Sequence, residues 1–194
     1  EVQDEYLELI DNPDKVNNTY DFLIAHCQKG FKNLNLKRGS EEHKKYTDRI
    51  YYELDILKEL GFVDYILLVW KVIHFCNTSD IPVGLGRGSA AGSFVLYLLG
   101  VTKIDSVKYD LFFERFVSKI RAKKKVVDGV TYLDGSLMCD IDMDVCYYKR
   151  KNVLKYLEEE FKGKTSKIRT LNTLSGKLVM KECGKTVEDK SETE

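Results

Sequence analysis

The chain has 194 residues, enough to bury the core of one domain or one and a half. It carries 31 Lys plus Arg against 31 Asp plus Glu, so its overall charge selects no polyanionic partner. The longest apolar run, Tyr65 to Cys76, contains Lys71 and falls short of the ~20 residues that a bilayer-spanning helix needs.

Charge is unevenly distributed. The first fourteen residues hold six acids and no base, whereas Cys146 to Lys185 holds eleven Lys and Arg against four Glu. A field that attracts phosphate would therefore be local. The five cysteines (Cys27, Cys76, Cys139, Cys146, Cys183) form no C-x-x-C pair and no zinc spacing, and no secretory segment is visible, so the expectation is a reducing, cytoplasmic compartment. His26, His43 and His74 are not paired at a ligand spacing and read as helix-surface or core histidines.

In chain order, residues 17–30 predict a helix, capped by Asn17, Asn18 or Thr19, with Phe22, Leu23 and Cys27 on one side and Gly30 at its end. Ser40 followed by Glu41 and Glu42 opens a longer helix, whose apolar positions Ile50, Leu54, Leu57 and Leu60 lead to Gly61. A third helix, from about Asp64 to Cys76, is apolar nearly all round and is expected to be buried. Ile81-Pro82-Val83 is a short extended piece, Gly84 to Ser89 a loop, and 89–99 a small-residue apolar helix. Residues 119–136 form an excursion: a basic run, then a hairpin with Asp128-Gly129 at its turn. After an acidic strand over 137–145 come a helix from about Tyr148 to Phe161, a strand near Ser166–Leu171, a helix from Thr173 to about Lys185 and a frayed tail. The mixture suggests helices packed on one side of a small mixed sheet, an α+β fold.

Two stretches carry chemistry. In Cys139-Asp140-Ile141-Asp142-Met143-Asp144-Val145, carboxylates alternate with apolar residues. In an extended chain this puts Asp140, Asp142 and Asp144 on one face, ~6.6 Å apart at ~3.3 Å per residue, with Ile141, Met143 and Val145 facing a core. The pattern fits a solvated acidic face or a cation site. Aspartate is poor in strands, and like charges on one edge repel, which favours a hard divalent ion such as Mg²⁺. In Gly84-Leu85-Gly86-Arg87-Gly88-Ser89, glycines permit close backbone approach, a following helix start offers free N–H groups, Arg87 offers a guanidinium fork and Ser89 a hydroxyl. The stretch ends without Gly-Lys-Ser/Thr, so it is not a Walker A loop, and it is open between a phosphate cradle and a tight packing turn. Together the two stretches suit metal-assisted phosphoryl or nucleotidyl transfer.

Gly61-Phe62-x-x-Tyr65, Ile81-Pro82-Val83-Gly84-x-Gly86-Arg87-Gly88-Ser89-x-Ala91-Gly92-Ser93, Phe113-Glu114-Arg115-Phe116 and Asp140-Ile141-Asp142-Met143-Asp144 occur in this order. The series closely resembles the palm region of C-family replicative DNA polymerases, the alpha subunit of bacterial DNA polymerase III and its phage relatives, from about Arg49 to Lys185. Ile168-x-Thr170-x-x-Thr173-x-x-x-Lys177 is similar to the family's palm-to-fingers segment. Two departures are Cys139 where the family has proline, and Leu85 where it usually has proline.

The resemblance implies a polymerase-beta-like nucleotidyltransferase palm, a small mixed sheet with helices packed on it. It implies an N-terminal helical segment over 1–48, the palm over 49–165 with an inserted loop at 119–136, and the start of the palm-to-fingers connection over 166–194. The implied reaction is template-directed transfer from a deoxynucleoside triphosphate to a primer 3′-hydroxyl, using two Mg²⁺ ions, for which Mn²⁺ can substitute. Asp140 and Asp142 would hold the ions, with Asp144 on the same face behind them. Gly86, Gly88 and Ser89 would meet the triphosphate, with Arg87, Arg115 and, more weakly, Lys177 as nearby cations. Primer-template DNA, a sliding clamp and other replisome subunits are the implied partners, with no membrane. The family's third metal-binding aspartate lies in a downstream segment not present here, so the 194 residues are expected to be a piece of a longer chain and inactive alone. The alternatives are a haloacid-dehalogenase-type phosphohydrolase with Asp140 as nucleophile, and a non-catalytic nucleotide- or DNA-binding module.

Overall fold

The computed structural model describes residues 2–117, 124–127, 130–133, 139–171 and 173–188. The chain divides into two compact units, Glu1–Leu157 and Glu158–Glu194.

The first unit is built from helices. A short α1 (Asp4–Leu7) precedes α2 (Thr19–Lys32), where the Asn18 side chain accepts a hydrogen bond from the Asp21 backbone N–H at 2.9 Å. Gly30 does not end α2 as expected. The helix runs on to Lys32, and Gly30 instead lets the Leu98 carbonyl approach so closely that an added Cβ would collide with it. Helix α3 (Glu41–Glu59) starts at Ser40, whose Oγ accepts from the His43 N–H at 3.1 Å. It ends in a turn where Gly61 has φ +71° and the Phe62 N–H reaches back to the Leu57 carbonyl at 2.9 Å. Helix α4 (Val63–Thr78) buries Ile66, Trp70, Ile73 and Cys76, as its all-round apolarity predicts. The short α5 (Phe94–Leu98) packs against α2 and α3, and α4 packs against α2. Phe22, Leu23, Leu57, Ile66, Phe94 and Phe113 are fully enclosed in this core. Each such side chain stabilises the fold by about 1.5–3 kcal/mol relative to exposure. Helix α6 (Arg150–Glu160) begins after a 3₁₀ turn, Tyr147–Lys149, and its Val153 joins a smaller cluster with Val72, Cys76 and Ile81.

The expected α+β palm with a mixed sheet is not what the described residues form; they are nearly all helical. Among the described residues the strands are β1 (Lys124–Val127) and β2 (Val130–Leu133), an antiparallel pair in which Val127 pairs with Val130. Asp128 and Gly129 themselves, and the rest of the 119–136 excursion, lie outside the described residues. Between Ile81–Gly84 and the acidic segment only one bridge forms, Val83 with Val145. The ladder stops there for local reasons. Pro82 has no N–H to give to Cys146, and two residues beyond Gly84 the chain turns away at Gly86, with φ +97°.

The predicted helix over 89–99 is also broken. Gly88–Gly92 forms a 3₁₀ turn, and α5 begins only after Ser93, whose Oγ accepts from the Leu96 N–H at 3.2 Å.

In the second unit, α7 (Gly176–Glu188) starts later than predicted and runs past Lys185 into the tail read as frayed. The strand expected near Ser166–Leu171 does not form; Ile168 is 95% exposed and Leu171 81% exposed, with no paired backbone. β-Branched residues without a neighbouring strand have nothing to hold them in a sheet.

Candidate nucleotide and metal site

Ile81–Gly84 runs beside Asp144–Cys146. The Gly84 N–H donates to the Asp144 carbonyl at 2.8 Å and the Cys146 N–H to the Pro82 carbonyl at 3.0 Å. From there the chain makes a tight turn over Thr102. A Cβ on Gly86 would lie 2.9 Å from Thr102 Cγ2, and the Lys103 N–H donates to the Leu85 carbonyl at 2.8 Å. Gly88, with φ +67°, takes a left-handed conformation that strains any other residue, and its Cα faces Asp142, so an added Cβ would lie 3.0 Å from Asp142 Oδ2. The turn therefore rests against the acidic segment, 50 residues and more away in sequence.

Arg87 makes the contact electrostatic. Its Nε lies 3.2 Å from Asp144 Oδ1 and its Nη2 3.7 Å from Asp142 Oδ1, with all three side chains at least half exposed. Exposure keeps such pairs weak, ~0.2–1 kcal/mol each. Ser89 is half-buried and its hydroxyl makes no hydrogen bond among the described residues.

The acidic segment keeps the alternation read from its sequence. Asp140, Asp142 and Asp144 are exposed; Ile141 and Met143 pack against the main core and Val145 against the smaller cluster. Its start is pinned by Tyr65 of α4, whose hydroxyl donates to the Cys139 carbonyl at 2.9 Å. Burial, followed by the charges of Cys139 and Asp140, pushes the Tyr65 phenol up to about 12, so it stays a donor at neutral pH. Burial likewise pushes the Cys139 thiol up to about 11, which keeps it protonated and inert.

The donors on this edge are all carboxylate oxygens at the surface, the ligand type a hard divalent ion takes. Among the described residues no three His, Cys, Asp or Glu side chains converge as a metal cage. A ~6.6 Å step along the chain separates successive carboxylates too widely for three to close on one ion, so a site here consists of a subset of them plus outside oxygens. Asp140 and Asp142 meet that chemical requirement.

The α5 N-terminus is not free for a ligand. The side chain of Glu53 from α3, with no exposed surface, accepts from the Phe94 N–H at 2.9 Å, the Val95 N–H at 3.0 Å and Ser93 Oγ at 2.8 Å. Arg49 Nε donates to the same carboxylate at 2.6 Å, while Arg49 Nη2 donates to the Gly92 carbonyl at 2.7 Å and the Leu111 carbonyl at 2.8 Å. Burial raises the Glu53 pKa, and the two N–H groups and Arg49 pull it back down. All four partners donate, which matches the acceptor-only ionised form. Sequence reading missed this pair. The available signal was Glu53 standing on the apolar stripe of α3, seven residues after Tyr46 and four before Leu57, with Arg49 one turn earlier.

Arg115 ends a 3₁₀ turn, Phe113–Arg115, that packs on Gly88–Gly92. It is exposed and pairs with no acid among the described residues; its neighbour Glu114 instead accepts from the Tyr52 hydroxyl. Lys177 is exposed on α7 of the second unit.

Comparison with known proteins identifies the family. The family model of the bacterial DNA polymerase III alpha NTPase domain matches residues 21–193, and the chain belongs to that family. Among curated relatives, it is 39% identical over 145 residues to the DNA polymerase III subunit alpha of Borreliella burgdorferi, covering 74% of this chain and 11% of the relative. It is 35% identical over 167 residues to that of Chlamydia trachomatis serovar D, covering 86% and 12%, and 34% identical over 176 residues to that of Haemophilus influenzae, covering 87% and 14%. The chain thus spans little more than a tenth of the length of these relatives. No helix among the described residues is long and apolar enough to cross a membrane.

Proposed function

We propose that this chain is the part of a replicative DNA polymerase that holds the incoming deoxynucleoside triphosphate and the metal ions, the role that the palm plays in that enzyme class. The observation that carries the reading is the meeting of the Gly86–Ser89 turn with Asp142 and Asp144. The backbone N–H groups of the turn, the free Ser89 hydroxyl and the Arg87 guanidinium bind phosphate oxygens. Arg115, on the neighbouring 3₁₀ turn, adds a second cation, and Lys177 is assigned to a phosphate or primer contact. Asp140 and Asp142 are the residues that would hold Mg²⁺. The ions would supply charge neutralisation for the triphosphate in transfer of a nucleotidyl group to the primer 3′-hydroxyl, which gives up its proton as pyrophosphate leaves. Primer-template DNA and replisome subunits are the partners of the whole protein.

The test uses the full-length parent polymerase. Asp140→Asn and Asp142→Asn should each abolish primer extension and leave the unfolding midpoint unchanged, because both carboxylates are exposed and carry no core packing. Near-parental extension by either variant overturns the assignment.

A further inference from the structure

The turn that meets the acidic segment has few bonds of its own, yet the stretch that follows it and the stretch that leads into the neighbouring 3₁₀ turn are tied to one helix. Arg49, Tyr52 and Glu53 lie on one side of α3, at positions i, i+3 and i+4. Arg49 reaches the Gly92 carbonyl, at the end of the 3₁₀ turn that starts at Gly88, and the Leu111 carbonyl, just before the 3₁₀ turn that carries Arg115. Glu53 fixes Ser93, Phe94 and Val95, where the chain leaves the first turn for α5. Tyr52 holds Glu114, the neighbour of Arg115. Gly92 makes the approach possible, since a Cβ there would lie 2.7 Å from the Phe112 carbonyl oxygen.

Stability alone is a poor account of the pair. A buried ion pair gives up hydration that apolar residues of the same volume never had, and replacing such pairs by apolar residues is often neutral or stabilising. What apolar side chains cannot supply is a fixed direction for two separate backbone segments, Gly92–Val95 and the one ending at Leu111. The four donors on Glu53 and the two carbonyls on Arg49 supply that.

We propose that Arg49 and Glu53 are positioning residues of the nucleotide site: they lock the Gly88–Gly92 and Phe113–Arg115 turns side by side, and so set where Arg87, Ser89 and Arg115 meet a triphosphate. The proposal rests on the polymerase reading given above. Neither residue touches the ligand; both act through the turns they hold.

The test measures primer extension by the full-length parent carrying Glu53→Gln or Arg49→Lys, with Asp140→Asn as control and the unfolding midpoint of each. Glu53→Gln keeps the shape but loses the charge and one acceptor, and should raise KM for the nucleotide about tenfold with a smaller change in kcat. Arg49→Lys keeps the charge opposite Glu53 but lacks the fork that spans two carbonyls and the carboxylate, and should raise KM in the same direction. Combined with Arg87→Ala, the Glu53→Gln effect on KM should fall short of additivity, because the clamp works through that turn. Parental KM with a lowered midpoint, or full additivity with Arg87→Ala, makes the pair merely structural and overturns the proposal. Should Glu53→Gln fail to fold, the KM of Arg49→Lys decides. If Asp140→Asn retains extension, the polymerase reading falls and this one with it. If Asp140→Asn is dead while both α3 variants keep the parental KM, the clamp alone falls.

Discussion

The turn and the acidic segment touch, but they are held by different means. Gly84–Val95 is anchored from beneath by a fully buried carboxylate and a guanidinium, by Thr102 under Gly86 and by the Lys103 N–H on Leu85. Cys139–Val145 hangs on Tyr65 at one end and on the Val83 bridge with its two flanking backbone bonds at the other, with Ile141 and Met143 seated on the core between. Asp140, Asp142 and Asp144 are exposed along it. The half proposed to face phosphate is therefore preorganised by the protein itself, which is what electrostatic binding in a fixed geometry needs. The carboxylate half has its repulsion relieved at the surface by Arg87.

Substitutions can break this contrast at graded cost. The largest effect is expected from Gly88→Ala, which forces a Cβ into a left-handed conformation and against Asp142 Oδ2. The backbone term alone is about 1–2 kcal/mol, read as a lowered midpoint in urea unfolding together with weaker binding of a non-hydrolysable nucleotide. Unchanged stability and binding would show that the turn adapts, contrary to the preorganised half described above. A smaller loss, about 1 kcal/mol, is expected from Tyr65→Phe, which removes the hydroxyl on the Cys139 carbonyl; the same unfolding curves measure it. The smallest effect is a gain. Arg87→Ala frees Asp142 and Asp144 from their cation and should tighten Mn²⁺ binding in the absence of nucleotide about two- to fivefold, the scale of an exposed ion pair. Titration followed by electron paramagnetic resonance reads it, and equal or weaker Mn²⁺ binding would show that Arg87 does not compete for the carboxylates.

Sequence pattern reaches as far as local chemistry does. Asn18 and Ser40 cap the helices they predict, the apolar periodicity of α3 and α4 points inward, and Asp128-Gly129 sits between strands that pair. Alternation in Asp140–Asp144 correctly gives one exposed and one packed face. The mixed sheet failed because alternation states which face is buried, not whether a partner strand is present; Pro82 and Gly86 end the pairing after a single bridge. The helix over 89–99 failed at Ser93, where the buried carboxylate of a distant helix outcompetes helix continuation. That carboxylate was legible only as an anomaly, a Glu where α3 should be apolar. The contact between turn and acidic segment was foreseeable from the order of motifs, and from nothing in either motif alone.

Gly30 has a consequence for how this sequence can drift. The Leu98 carbonyl of α5 occupies the space where a side chain would begin, so backbone against backbone sets the distance between α2 and α5. Every single-nucleotide missense change in a glycine codon adds at least a methyl group. Among single-nucleotide changes, position 30 thus tolerates only the synonymous ones without pushing the two helices apart.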